Sequence, residues 1–195
     1  MKIIGLTGGI GMGKSTAAKA FRRAGIPVFD ADAAVHILQG SGGKALPAIG
    51  KAFPGTVVGD VLNRPALRSA VLGNPAALKQ LERILHPMVR AMERAFIAAA
   101  RRARAPAAVL DIPLLLEADG RGRVDILMVV SAPRAVQIAR VRKRGKMSTA
   151  QIEAVIARQM PDAQKRRLAD VVINTGLSRN HAQRQLRRFI QGLRR

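Results

Sequence analysis

Lys2-Ile3-Ile4-Gly5-Leu6-Thr7-Gly8-Gly9-Ile10-Gly11-Met12-Gly13-Lys14-Ser15-Thr16 is the stretch that decides the fold. Lys2 to Thr7 is an apolar run that stops at glycines. It is too short for a helix and reads as a buried strand. Gly8 to Ser15 fits the pattern G-x-x-x-x-G-K-S. Ser15 to Arg23 is helix-forming and ends at Gly25. A strand, a glycine-rich turn and a helix in that order make a phosphate-binding loop. Glycines let successive backbone N–H groups curl around an anion, and the helix N-terminus adds partial positive charge. Gly9 and Gly11 to Thr16, Met12 included, are therefore expected to hold nucleotide phosphates. Lys14 is expected to reach the β- and γ-phosphates, and the Ser15 hydroxyl to ligate Mg²⁺. The competing reading is a glycine-rich turn with a surface lysine.

Outward from the loop, Ile26 to Asp30 reads as a second strand and Ala31 to Gln39 as a helix. A second glycine cluster, Gly40 to Lys44, follows a helix, and Ala45 stands where a hydroxyl residue would be needed. It reads as a connector. Residues 44 to about 104 hold little strand signal. Pro65 and Pro75 suit first helical turns, and Leu78, Leu81, Leu85, Val89 and Met92 recur at helical spacing. A helical insertion over 44–104 is expected, forming a small subdomain or a flap. Strands return at Ala107–Asp111, Val124–Val130 and Asp170–Asn174. Helices are expected at Pro133–Arg144 and Ser178–Leu193, with Ser178 as N-cap. Met147 to Leu168 reads as a basic helical hairpin broken at Pro161, part of a lid over about 145–168. Aliphatic strands alternating with helices imply an α/β fold of the P-loop NTPase/kinase type. Its five-stranded parallel sheet would be flanked by helices within a single domain, 1–195.

Composition narrows the classes. The chain has 195 residues, 48% of them apolar, so a core of one domain is affordable in size. Phe is the only aromatic type, at 3%, so that core must be aliphatic. With no cysteine there is no disulfide scaffold, thiolate metal site or catalytic thiol. No run has the length of a membrane span, and the start lacks the apolar region of a signal peptide, so a cytoplasmic chain is expected. The formal net charge is +22. Residues 134–195 hold 16 of the 34 basic residues, interleaved with Leu186, Phe189, Ile190 and Leu193 and not detached as a tail. Such a balance suits phosphorylated substrates, nucleic acid or a membrane surface. Tyr and Trp are absent, which removes the usual stacking platform for single strands. No specific nucleic-acid partner is expected. A guanine-reading Asn-Lys-x-Asp block is also absent.

The second strand ends in Asp30-Ala31-Asp32, with His36 one turn on. Parallel strands deliver their C-terminal ends to the ligand crevice, so a carboxylate here could take a proton from a substrate hydroxyl. Asp30 suits a helix N-cap and Asp32 is the candidate base. His36 could face a substrate phosphate or simply cover a helix face. Asp111 ends another strand, as a second magnesium-side carboxylate or as a loop anchor.

Gly5-Leu6-Thr7-Gly8-Gly9-Ile10-Gly11-x-Gly13-Lys14-Ser15-Thr16, followed by Asp30-Ala31-Asp32-x-x-x-His36, resembles the opening of the dephospho-coenzyme A kinase family. Later blocks agree: His86-Pro87-x-Val89-Arg90, Asp111-Ile112-Pro113-Leu114-Leu115-Leu116-Glu117, Gln137-x-x-Arg140-x-x-x-Arg144, Arg158-Gln159 and Ala169-Asp170-x-x-Ile173. The resemblance runs from about residue 3 to 176. It implies transfer of the γ-phosphate of ATP, with Mg²⁺, to the ribose 3′-hydroxyl of dephospho-CoA, the last step of coenzyme A synthesis. Asp32, Lys14 and Arg140 would be catalytic. Arg140, with Arg144 and Arg166, would close over the phosphates. Asp30, His36, His86, Leu114 and Glu117 would shape the substrate side, with the 44–104 helices as the substrate flap, and Asn174 and Gly176 would meet adenine. On chemistry alone, His86 is a packing or capping residue. A monomer or weak homo-oligomer is expected. The nearest rival is a nucleoside monophosphate kinase, against which the Asp30-x-Asp32 pair and the His86-Pro87 block both argue.

Overall fold

Short aliphatic strands set the frame of the computed structural model, which describes residues 1–118, 120–145 and 147–193. In chain order the elements are β1 (Lys2–Thr7), α1 (Lys14–Arg23), β2 (Val28–Asp30), α2 (Ala31–Leu38), α3 (Leu46–Ala52), β3 (Val57–Val58), β4 (Val61–Leu62), α4 (Arg64–Val71), α5 (Pro75–Arg102), β5 (Ala107–Asp111), β6 (Ile126–Ser131), α6 (Arg134–Arg142), α7 (Thr149–Ala157), α8 (Asp162–Leu168), β7 (Val171–Asn174) and α9 (Arg179–Gly192). Two units are distinguished, 1–29 with 99–195, and Asp30–Ala98.

The first unit holds a five-stranded parallel sheet ordered β2-β5-β1-β6-β7. β1 is central: Leu6 sits opposite Asp111 of β5 and Met128 of β6. The chain therefore switches sides of the sheet around β1. In such sheets the crevice beyond the strand C-termini at the switch point receives the ligand. Thr7, Asp111, Ser131 and Asn174 are those C-termini. The core is aliphatic, as the composition requires: Ile4, Leu6, Val109, Met128, Val130 and Ile173 from the strands meet Leu186 and Ile190 of α9. Phe21 of α1 is fully buried and meets Phe189 edge-on, with centroids 6.3 Å apart and planes at 86°.

The second unit has its own core of Leu38, Leu46, Ile49, Phe53, Leu81 and Leu85. Asn63 caps α4 by accepting from Ala66 N at 3.1 Å, and Asn74 does the same for Ala77 N before α5. The proline expectations hold, since Pro65 and Pro75 both lie in first turns. One strand pair was not expected: β3 and β4 form an antiparallel hairpin turned by Gly59 at φ +57°. Two residues a side are too few to set a period of two. Gly40 to Lys44 is a connector, with Ala45 N reaching back to Leu38 O at 3.1 Å. α5 continues past Pro87, so no helix ends there.

Phe21→Ala should lower unfolding free energy by about 3–5 kcal/mol, the range for truncating a fully buried aromatic. Urea denaturation followed by circular dichroism measures it. A loss under about 1 kcal/mol would contradict the packing described.

Candidate functional site

The loop begins where β1 ends. Gly8 passes so close to β6 that a Cβ there would lie 2.7 Å from Val130 O. Gly11 has φ +75°, and a Cβ would lie 2.8 Å from Gln137 O. Both positions exclude a side chain. Gly13, at φ +94°, is the N-cap of α1 and brings no side-chain cap, so the first-turn N–H groups have no side chain covering them. Lys14 Nζ donates to Asp111 Oδ1 at 2.6 Å, across the β1–β5 pair. That carboxylate is nearly sealed, at 4% exposure of its side chain. Ser15 and Thr16 are exposed at the open end of the helix. The Met12 side chain is buried in the core, so only its backbone faces the loop.

Three side chains from distant elements hold the loop. Gln137 of α6, itself buried, donates from Nε2 to Ile10 O at 2.8 Å. Gln159, between α7 and α8, accepts from Ile10 N at 3.1 Å. The partners fix both amide orientations: a carbonyl needs a donor and an N–H needs an acceptor. Thr175 Oγ1 lies 2.8 Å from Met12 O and 3.2 Å from Ser131 O, and accepts from Arg140 Nη1 at 3.0 Å. Arg140 Nη2 also donates to Thr175 O at 2.6 Å. Gln137 and Gln159 entered the sequence analysis only as parts of family blocks, and Thr175 did not enter it. Glutamine spacing says nothing about which backbone group each will find.

The helical hairpin is anchored beside the loop. Glu117 Oε1 meets Lys165 Nζ at 2.7 Å and accepts from Met160 N at 3.0 Å. Lys165 is buried, with its side chain 1% exposed. Ser131 donates to Asp162 at 2.8 Å, and Arg166 pairs with the same Asp162 oxygen at 2.9 Å. Partial burial works against the charge of Glu117. The hydrogen bonds from Lys165 and Met160, with the Lys165 charge, outweigh that burial and hold its carboxyl below the ordinary value of 4.5.

A cavity of about 410 Å³ opens beside the loop. Gly11, Gly13, Thr16, Arg140, Arg144 and Thr175 are among its walls, with Ala17, Ala182 and Leu186 supplying apolar surface. Walls that combine cations with apolar surface suit a nucleotide. Asn174 and Gly176 are not among those walls. Asn174 Oδ1 instead accepts from Gly176 N at 3.0 Å, shaping the turn that presents Thr175. Gly9 lies on a neighbouring cavity with Gln137 and Gln159. Leu114 is exposed. In the second unit, Asp30 caps α2, its Oδ1 accepting from Ala33 N at 3.0 Å. Asp32 and His36 are exposed on α2, and His86 is exposed in mid-α5, where it neither caps nor packs.

The family described as dephospho-CoA kinase matches residues 2–180. The dephospho-CoA kinase of Gluconobacter oxydans is 54% identical over 198 residues, covering 100% of this chain and 98% of the relative. The crystal structure of TT1252 from Thermus thermophilus superposes with a TM-score of 0.85 at 34% identity, over 98% of this chain and 96% of that one. The dephospho-CoA kinase from Campylobacter jejuni shares the fold, with a TM-score of 0.73 at 23% identity over 98% and 96%.

The Ile10 clamp makes an asymmetric prediction. Gln159→Glu keeps an acceptor for Ile10 N, whereas Gln137→Glu replaces a donor with a carboxylate facing Ile10 O. Both add one negative charge near the loop. Nucleotide affinity, measured by calorimetry, should fall about tenfold further in Gln137→Glu than in Gln159→Glu. Equal losses would refute the clamp. Glu117 makes a second. Its folded value lies below its unfolded one, so its stabilisation is full above pH 4.5 and is lost as acid protonates it. Glu117→Gln should therefore flatten the loss of stability as pH falls below 4.5, as thermal melts would read it.

Proposed function

The chain belongs to the dephospho-CoA kinase family, and we propose that it transfers the γ-phosphoryl group of ATP to the ribose 3′-hydroxyl of dephospho-CoA, the final step of coenzyme A synthesis. The observation that carries the chemistry is the Lys14–Asp111 pair under an open glycine loop. It holds one ammonium group at the start of α1, which supports the reading of Lys14 as a phosphate ligand.

Phosphoryl transfer is mainly positioning and charge stabilisation. In this proposal Gly9 and Gly11 to Thr16 hold the phosphates through backbone N–H groups. Lys14 neutralises the charge that develops on the transferred group. Asp32 takes or orients the proton of the 3′-hydroxyl. Arg140 has two donors on Thr175 and keeps the rest of its guanidinium for the nucleotide, with Arg144 beside it in the cavity wall. Asn174 and Gly176 set the turn next to adenine. Residues 44–104 take the acceptor substrate, with Asp30, His36, His86 and Leu114 on the substrate side. Glu117 serves that side indirectly, by tethering the lid at about 145–168, of which residue 146 lies outside the described residues. The oxygen donors at hand, the Ser15 hydroxyl and the Asp111 carboxylate, fit Mg²⁺, a hard cation that shares its sphere with nucleotide phosphates. Bound there, the ion would neutralise phosphate charge. No described helix is long and apolar enough to cross a membrane. A cytoplasmic monomer or weak homo-oligomer, acting on a small-molecule acceptor without a specific nucleic-acid partner, is the setting proposed.

A coupled ADP-release assay with Mg-ATP tests the reading, with dephospho-CoA, AMP and CMP offered in parallel and the product checked by mass spectrometry. Turnover is expected with dephospho-CoA alone. Asp32→Asn and Lys14→Ala should each lower kcat/KM by about 10²–10⁴-fold, the range for a lost general base or charge stabiliser. Turnover with AMP or CMP would sink the substrate assignment, and undiminished Asp32→Asn would sink the base.

A further inference from the structure

A second concave surface lies on the first unit, between α1 and α9, and encloses about 530 Å³. We propose that it is an anion site separate from the nucleotide cavity, and that it takes a linear oligophosphate.

Among the described residues its charged walls are all cations: Lys19 and Arg23 from α1, Arg179 and Arg187 from α9. None of these four makes an ion pair among the described residues. Gln183 and Gln191 alternate with the arginines at four-residue steps, which puts Arg, Gln, Arg and Gln on one face of α9. That face offers amide and guanidinium donors and no carboxylate.

The arrangement works against local stability. Lys19 and Arg23 are a like-charge pair one turn apart, which destabilises a helix. Arg179 opens α9 at the positive end of its dipole, where an acid would be favoured, and the first turn holds no acid. Breaches of local rules with no internal compensation mark places where a ligand supplies the compensation. Here the missing charge is negative.

The spread of the cations selects the shape of the anion. At 1.5 Å per residue, Arg179 and Arg187 stand about 12 Å apart along α9, and Lys19 and Arg23 about 6 Å apart along α1. Two facing rows of that length suit a chain of phosphates better than one tetrahedral anion. Arg forks then bind successive phosphates in pairs of hydrogen bonds. Nucleic acid fits less well. The surface is a groove, and no aromatic side chain lines it to stack a base.

Thr16 and Arg179 line both this groove and the nucleotide cavity. An occupant carries the same charge sign as a nucleotide, so each weakens the binding of the other, and by the same factor. This coupling rests on the nucleotide reading of that cavity; the groove's own affinity does not.

The test is calorimetric titration of tripolyphosphate into the full chain with its loop saturated by a non-hydrolysable ATP analogue and Mg²⁺. One further equivalent should bind, and its affinity should fall steeply with added salt. The triple variant Lys19→Gln/Arg23→Gln/Arg187→Gln should weaken it at least about tenfold while leaving turnover without tripolyphosphate unchanged. At fixed free Mg²⁺, tripolyphosphate should raise KM for ATP more in the unmodified chain than in the variant, where only competition at the loop remains. Circular dichroism and the melting temperature establish that the variant is folded, and Lys19→Gln/Arg187→Gln replaces it if it is not. The absence of a further equivalent overturns the proposal. So does equal affinity in the folded variant, or binding of a single-stranded oligonucleotide without binding of tripolyphosphate. If the ATP analogue itself fails to bind, the nucleotide reading falls, while the variant comparison still decides the groove.

Discussion

β1 is hydrogen-bonded on both sides, and the place where it stops governs the rest of the site. Its partners β5 and β6 run parallel to it, so their last residues arrive at the same edge. The chain leaving β1 must turn against β6 at once, which only Gly8 permits. One step across β5 stands Asp111, and the first residue of α1 is Lys14. The ion pair between them is a consequence of strand register before it is a feature of chemistry. Buried pairs of this kind are costly to break, because one charge is then left without compensation. The lysine is thus held ready and not left to search rotamers.

A glycine-rich loop would otherwise be the most mobile part of the chain, since glycine loses most freedom on ordering. Here the loop is ordered by side chains from α6, from the turn between α7 and α8, and from the residue after β7. Gln137 and Gln159 take the two polar groups of one residue, Ile10. Thr175 takes the carbonyl of Met12 and is itself gripped by Arg140. Fixed donors that need no rearrangement are how enzymes stabilise developing charge. Because Gln159 lies in the helical hairpin, the loop and the hairpin are tied through a single backbone amide.

Much of this was legible in the sequence, for reasons that differ by element. The strands of the first unit are aliphatic runs bounded by glycine, proline or aspartate, and the loop pattern has correct flanks. The caps Asp30 and Ser178 carry their own local signal, since each bonds an amide three residues on. The β3–β4 hairpin carried none, because three valines and a leucine around a glycine and an aspartate resemble any loop. The partners of the loop were also hidden. Ile10 and Gln137 are 127 residues apart, Ile10 and Gln159 are 149, and Met12 and Thr175 are 163. No periodicity reports a contact of that span. Glu117 shows the same limit: its block was recognisable, but its tie to Lys165 depends on how the hairpin is docked.

The clamps have a consequence for the order in which the molecule is made. A ribosome delivers residues 8 to 15 first, yet their shape is set by residues 137, 159 and 175. Even β1 waits for β5 and β6 before it has neighbours. Contacts of such long span form late, after the loop-closure entropy has been met. A segment synthesised before its partners is thus completed only after them. A nascent or prematurely terminated chain carries the whole phosphate-loop sequence without an organised loop. Its loop would lack the clamp on Met12 until residue 175 had emerged.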